Sequence, residues 1–598
     1  MLLLFVVVFS TLTIRAHQSF NTAALDLAKF DQSIWNTSRG DPYAITLSED
    51  TVNDSHFSPA LAIFAPLYWI WADIRLLLIA LSALLGGAGF IIYWHFRRTA
   101  PWLGLAVFAA YLMHPTLHQI NLALFRRETL AVFATSFALY HLLRRQYGWM
   151  ALGLALALLS KEDMSLVLVV FGLYILLVQR RPTVGGLTLV IGVAWFFVVP
   201  FVLLPALRGN AAGDSYQHAA AYYSYLGTSL PEIFQTLTTR PQILWDYIGQ
   251  PRRLEEVFQF LWPTAFLFIL APEIALLMLP SFVYLVASTS QAMGRLEAWY
   301  PSLLSILLYW AVGFGLGRLS GRWRQVGAFI LLLASFGGWI AYSQLWPGSR
   351  FDVERYRITA LERRIADRLA EIPADAVVMA QDPLVPHLSH RRDIYLFPWV
   401  GDRQPEYIIL DRDMRTYPLG ADEYRTYFYD YLAGPDYALA DQIDGLYIFQ
   451  HDPERPPANA AGDTWANAMT LTGYDAAVAA PGEPYAAPPV IIPAGTTLRV
   501  SLYWETLAAM AENYTVFVHA AAPDGRTLAQ HDSWPADAHR PTSVLPPGEQ
   551  FRDVHYLTLS EDVAAADLLL RVGLYGSDPA APIPTESGDE FMLRPMFP

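Results

Sequence analysis

Residues 147–178 read YGWMALGLALALLSKEDMSLVLVVFGLYILLV. Two apolar blocks, 147–160 and 164–178, are parted only by Lys161-Glu162-Asp163. Blocks of this length and purity read as helices in a bilayer, somewhat short of the roughly 20 residues of a full span. Joined by a three-residue turn, they form a hairpin whose ends return to one side. Arg144-Arg145 precede the hairpin and Arg180-Arg181 follow it. An excess of Arg marks the cytoplasmic side, so the turn at 161–163 faces the other way.

The same reading extends in both directions. Apolar blocks fall at 1–14, 74–96, 101–114, 129–143, 147–160, 164–178, 184–204, 258–271, 273–288, 300–318 and 326–346. The expectation is a polytopic α-helical membrane protein of about 11 spans. The block 1–14 lacks a basic leader and a small-residue cleavage site. It therefore reads as a first membrane helix with its upstream end left open, and not as a signal peptide. Arg97-Arg98 and the group Arg318, Arg322 and Arg324 agree with the orientation set by the hairpin. Arg126-Arg127 and Arg252-Arg253 break the rule, since alternation puts both pairs on the translocated side.

Composition supports two proteins in series. Of 598 residues, 54% are hydrophobic and 16% charged, with a mean hydropathy of +0.29. Soluble domains carry about 25% charged residues. The deficit lies before Pro347, and most of the net charge of -14 lies after it. The chain has no Cys, which excludes thiolate chemistry. No long basic stripe is present, which argues against a nucleic-acid partner. The two lysines are Lys29 and Lys161, and a codon bias toward Arg accounts for their scarcity.

The division expected is a membrane domain over 1–347, a small α/β unit over 348–456, a linker over 457–490 and a β-sandwich over 491–598. An amphipathic helix is expected over 352–371, with Leu361, Ile365 and Leu369 on one face. Short apolar runs follow at Ala376–Ala380, Ile394–Phe397 and Tyr407–Leu410. The stretch 457–490 is rich in Ala, Pro and Gly. Beyond it, period-2 segments at Leu498–Trp504, Tyr514–Ala520, Val554–Leu559 and Leu568–Tyr575 are separated by turns such as Pro523-Asp524-Gly525. Trp504 and Trp534 suit either sugar stacking or a small core, and core is the commoner fate of such residues. The sequons at Asn36, Asn53 and Asn513 are too common to weigh.

The loops on the translocated side hold an unusual polar set. It comprises Asp26 and Asp31 in the first loop, His56-Phe57-Ser58-Pro59 where an apolar segment opens, Arg126-Arg127-Glu128 before the fourth span, and Lys161-Glu162-Asp163. Ionisable groups at a span boundary cost free energy unless paired or used. Carboxylates can accept a proton from an incoming hydroxyl. Arg and Lys can neutralise a departing phosphate. A His beside a carboxylate can bind a metal or a phosphate oxygen. That combination suits glycosyl transfer from a lipid-phosphate sugar. Each element alone has a plainer reading: a capping Asp, a solvated charged turn, a surface ion pair. Their coincidence on one face carries the functional reading.

The first part of the chain, about 1–345, resembles a bacterial multi-pass membrane family designated only as a domain of unknown function (DUF). The residues carrying the resemblance are Phe30-Asp31-Gln32-Ser33-Ile34-Trp35-Asn36, His56-Phe57-Ser58-Pro59, Ser160-Lys161-Glu162-Asp163 and Tyr225-Leu226-Gly227. That family is similar in layout to the GT-C glycosyltransferases, which include protein mannosyltransferases and the aminoarabinose transferase of lipid A. By that resemblance, Asp26 is the base that activates the acceptor, with Asp31 as the alternative. Lys161, Arg126 and Arg127 bind the lipid phosphate, and Glu128 and His56 complete the site. Glu162 and Asp163 adjoin it, and a divalent metal ion is left open as a cofactor. Two departures stand out: Asp26 is followed by Leu27 where an acidic pair is usual, and Leu124-Phe125-Arg126-Arg127-Glu128 replaces Asp-Phe-His-Pro-Glu. The C-terminal part is similar to β-sandwich modules attached to such proteins.

The implied function is an integral-membrane glycosyltransferase of the cell envelope. It sits in the plasma membrane with its tail extracytoplasmic. It takes a sugar from a polyprenyl-phosphate donor to an extracytoplasmic glycan, lipid or protein. A lipid-linked-sugar transporter or flippase is the alternative. It needs polar groups along the middle of spans, where the main candidate is Glu273. A non-catalytic anchored glycan-binding protein needs one span, and leaves the polar set unexplained.

Overall fold

The computed structural model describes residues 1–47, 56–208, 220–345, 351–452, 456–585 and 591–593. The sequon at Asn53 and the boundary at 347/348 lie outside the described residues. The chain divides into two compact units: Met1–Glu362 with Pro386–Arg392, and Arg363–Val385 with Asp393–Pro598.

The first unit is helical. Among the described residues, Arg75–Phe96, Pro182–Leu207 and Gly321–Tyr342 are long and apolar enough to cross a membrane. Shorter apolar helices include Leu2–Gln18, Pro101–Leu112, Glu128–Leu143, Tyr147–Leu158, Met164–Leu177 and Ser302–Arg318. Proline opens several of them, at Pro101, Pro115 and Pro182, where its missing N–H costs nothing. Each helix of the hairpin packs through a glycine on a neighbour outside the hairpin, Tyr147–Leu158 on Glu128–Leu143 and Met164–Leu177 on Pro182–Val198, as helices in lipid do. A Cβ on Gly153 would lie 2.8 Å from the Ala134 carbonyl oxygen, and one on Gly172 would lie 2.6 Å from the Leu189 nitrogen. Polar cross-links add to this packing. The buried Trp310 indole donates to Ser136 Oγ at 2.9 Å, and Ser136 donates to the Ala88 carbonyl at 2.9 Å. That chain joins the helices Ser302–Arg318, Glu128–Leu143 and Arg75–Phe96.

Three expected features differ. The block 258–271 is no single helix. Pro263 and the left-handed residues Ala265 and Phe266 (φ 51° and 55°) break it after Leu261. The block 273–288 divides into Pro272–Ala275, Leu276–Met278 and Leu279–Val286, with Pro280 in the first turn of the last piece. The turn 115–128 contains a further helix, Pro115–Leu122, with His114, His118 and Asn121 buried.

The second unit holds the β-sheets. Residues Val378–Ala380, Ile394–Leu396 and Tyr407–Asp411 form strands where short apolar runs stood in the sequence. The first pairs with the other two in parallel, and the hairpin Tyr437–Ile443/Leu446–His451 completes a five-stranded sheet. The amphipathic helix is shorter than expected, Ala360–Glu371, and Ile365 and Leu369 are buried. Two further sheets follow, built on Thr497–Thr506 and on Thr515–Ala521, and their inward residues share one core.

The stretch 457–490 is not a linker. Met469–Ala479 is a strand paired along the whole of Thr497–Thr506, from Thr497↔Ala479 to Thr506↔Met469. Its many Ala and Gly residues conceal the alternation, because Met469, Leu471, Ala476 and Val478 point inward while small residues fill the other face. Trp504 is 1% exposed and packs edge-on against the buried Trp465, so it is core and offers no face to a sugar. Trp534 is 38% exposed.

Candidate functional site

The turn Lys161-Glu162-Asp163 sits where two apolar helices end, so its side chains find partners within the protein. Lys161 Nζ lies 3.0 Å from Glu128 Oε1 and 3.1 Å from Asp163 Oδ2. Glu128 opens the helix Glu128–Leu143, where a carboxylate also meets the positive end of the helix dipole. Burial favours a neutral amine at Lys161, but Asp163 and Glu128 hold its ammonium well above the ordinary lysine range. Burial is the largest influence on Asp163 and raises its carboxyl, despite the opposing pull of Lys161.

Glu162 clamps the segment after the first loop. One carboxylate oxygen meets His56 Nδ1 at 2.5 Å, and the other accepts the Phe57 N–H at 3.1 Å. Burial pushes this carboxyl up, but His56 and Lys161 outweigh burial and hold it down, at about 2. Ser58 is tied from another side, accepting from Arg127 Nη1 at 3.3 Å. The Ala60 N–H donates to the Leu159 carbonyl at 2.9 Å. His56-Phe57-Ser58-Pro59, Arg127-Glu128 and Ser160-Lys161 are therefore one constellation, although more than a hundred residues separate the first from the last.

Asp26 joins it through Arg126, with which it makes an ion pair. The two partners differ in environment: the Asp26 side chain is 44% exposed and that of Arg126 is 9% exposed. Burial lowers the affinity of the Arg126 guanidinium for its proton, and Asp26 and Glu128 oppose this. The guanidinium lies 3.5 Å from the centroid of the Trp299 ring, a close cation–π contact. Trp299, Glu128, Lys161, Asp163, Tyr284 and Tyr300 line a small cavity. Its enclosed volume of about 20 Å³ admits a water or one substrate hydroxyl but no sugar ring. Glu128 Oε2 and Asp163 Oδ1 are buried without a hydrogen-bond partner among the described residues.

Asp31 stands apart, contrary to the expectation that it could share the base role. It is fully buried, and its oxygens accept from the Tyr68 hydroxyl at 2.5 Å and the Ser389 hydroxyl at 2.5 Å. His390 Nε2 lies 3.0 Å away as a charge contact without hydrogen-bond alignment. The reason is rotation. Asp26 lies in the wide turn Ala24–Ala28 and Asp31 in the helix Lys29–Ser38 that continues it. Five residues of helix turn a side chain about 140° from its starting face.

Among the described residues no group of three or more His, Asp or Glu side chains is placed to hold an ion. The Lys161 ammonium already occupies the position between Glu128 and Asp163 that a divalent cation would need. Sequence reasoning missed Trp299, Tyr300 and Tyr284, because aromatic residues at or inside an apolar block carry no signal that separates a cavity wall from core. The Arg252-Arg253 exception now has half an explanation. Arg253 donates to the Tyr247 hydroxyl at 2.7 Å and the Ser288 carbonyl at 2.8 Å, so it is a structural brace.

The profile of a family described as predicted membrane protein DUF2079 matches residues 16–427, and the chain belongs to that family. A comparison with curated protein sequences found no match. Among solved structures the chain is similar to ArnT from Cupriavidus metallidurans in the apo state. The identity is 13%, the cover is 75% of this chain and 98% of that one, and the TM-score is 0.39.

Proposed function

We propose that this member of the DUF2079 family is a GT-C-type glycosyltransferase of the cell membrane. In this reading it crosses the bilayer about eleven times and carries its constellation and its sandwich-bearing tail on the extracytoplasmic side. The observation that carries the reading is the Asp26–Arg126 pair, half open on the Asp26 side and buried on the Arg126 side. An anionic phosphate arriving at Arg126 takes over its guanidinium and releases Asp26. Free of its cation, the Asp26 carboxylate can turn to an acceptor hydroxyl at the moment the donor is bound.

The chemistry then balances. The acceptor hydroxyl gives its proton to the Asp26 carboxylate, and its oxygen bonds to the anomeric carbon. The bond from that carbon to the phosphate oxygen breaks, and the polyprenyl phosphate leaves as an anion held by Arg126 and Arg127. Lys161 is already bridged to Glu128 and Asp163. Its role in this scheme is to keep the two carboxylates from repelling the donor. The test is turnover of a polyprenyl-phosphate sugar by the purified protein in nanodiscs. Loss of transfer in Asp26→Asn with donor binding retained is the expected result. Full transfer by that variant overturns the assignment.

A further inference from the structure

We infer that residues 230–261 form an arm lying in the plane of the membrane surface, with its apolar side chains in the lipid beside the constellation. The segment consists of three short helices, Leu230–Thr239, Gln242–Ile248 and Pro251–Leu261. Two are sharply two-sided. In the first, Ile233, Phe234 and Leu237 share one face, and Glu232, Gln235 and Thr239 the opposite one. In the third, Leu254, Val257, Phe258 and Leu261 oppose Arg252, Glu255 and Gln259. That pattern belongs to a helix half in oil and half in water.

Protein supplies only part of the oil: Ile248, Val257 and Leu261 pack against the helical core. Phe234 is 70% exposed, Trp245 67%, Leu254 52% and Phe258 52%, and no residue of Gln242–Ile248 is buried. Large apolar side chains exposed in this number mark a surface made for a partner. The partner is identified by continuity. The ring of Phe258 lies 5.9 Å from that of Phe266, and Phe266, Ile269, Leu270, Leu276 and Leu279 are themselves uncovered, the last two in the apolar stretch Pro272–Val286. A lipid surface covers both with one apolar layer. Arg240 and Arg252 stand exposed at the helix joints, where lipid phosphates would meet them. This accounts for the second Arg on a side where topology disfavours it.

The arm is also tied to the cavity wall. From the arm itself Tyr247 donates to the Ser288 carbonyl at 3.1 Å, and in the segment leading into it Tyr223 donates to the Tyr284 carbonyl and Tyr225 to the Ala287 carbonyl, both at 2.9 Å. The Tyr284 hydroxyl in turn reaches Asp163 Oδ2 at 3.4 Å. A platform in the lipid surface is thus joined through one short segment to the side chains that line the cavity.

The inference rests on membership of a membrane family and not on glycosyl transfer, so the two can fail separately. The chain has no Cys, so single cysteines can be placed without a background. Phe234→Cys, Trp245→Cys and Phe258→Cys sample the apolar faces, and Gln235→Cys, Asp246→Cys and Glu255→Cys the polar ones. Each full-length variant is labelled with a bimane fluorophore in nanodiscs of phosphatidylcholine and phosphatidylglycerol, one protein per disc. Labels on the apolar faces should be quenched by doxyl lipid about threefold more than labels on the polar faces, and by aqueous iodide correspondingly less. Equal iodide access on both faces shows the arm standing in water and overturns the inference. Apolar-face labels shielded from both quenchers show a cover of protein and overturn it equally.

Discussion

Asp26 and Asp31 come from the same loop and differ in almost everything the fold gives them. Asp31 is sealed from solvent and held by Tyr68, Ser389 and His390. Asp26 is 44% exposed, and its ion pair is with one guanidinium that a phosphate could claim. A carboxylate sealed between two buried hydroxyl donors stabilises, because removing it strands them. One half open to solvent, with an exchangeable guanidinium for a partner, can change state during a reaction. Burial and the number of partners separate the two roles where residue type cannot.

The contrast can be broken in four ways. The largest effect is expected from Asp26→Asn, which should lower turnover about 10³-fold, roughly 4 kcal/mol of transition-state stabilisation. Thermal stability should fall by the smaller amount of about 1–2 kcal/mol, because the buried Arg126 guanidinium loses its charged partner. Rates with a lipid-linked sugar and a melting curve on the same sample check both halves, and an equal loss in both columns would erase the distinction. Asp31→Ala should do the reverse. It leaves the Tyr68 and Ser389 hydroxyls without their acceptor and His390 without its counter-charge, a loss of about 3 kcal/mol in denaturant unfolding. Donor affinity should be retained at a temperature where the variant is folded.

Arg126→Lys probes the handover itself. A lysine keeps the charge but loses the planar fork and the contact with Trp299, so donor KM should rise about tenfold, near 1.4 kcal/mol, with a smaller change in kcat. A fall in kcat with KM unchanged would move Arg126 from donor binding to the chemical step.

The smallest effect concerns the Glu162–His56 clamp. The folded Glu162 carboxyl titrates at about 2, below the ordinary value of 4.5. A depressed carboxyl contributes stability that is complete above its unfolded value and lost as pH falls through the folded one. The melting-point gap between the wild type and Glu162→Gln should therefore be constant at pH 6 and close progressively below pH 4.5. A gap at pH 3 as large as that at pH 6 would show that the clamp acts through packing and not through charge.

How much could be read beforehand follows from the range of the forces involved. Apolar blocks and the charged turn between them are local patterns, and the helices Tyr147–Leu158 and Met164–Leu177 stand where 147–160 and 164–178 indicated. Counting sides of a membrane put His56, Glu128 and Lys161 on one face, but their contact through Glu162 and Lys161 is a matter of packing. The break at Pro263 was legible in principle, but block length hid it. The strand Met469–Ala479 was concealed by Ala and Gly, whose burial depends on the sheet across from them and not on their own hydropathy.

By itself the sequence determined that the chain enters a membrane, that its charges gather in a few short turns, and that a region of ordinary composition follows. These are consequences of transfer free energy, which each segment carries with it. Only the tertiary structure decided which carboxylate is open and which is sealed, that Lys161 bridges two acids, and that Trp299 stands beneath Arg126. Those outcomes depend on which distant residues share a few ångströms, because ion pairs and burial act at contact range and contact is set by the packing of the whole unit.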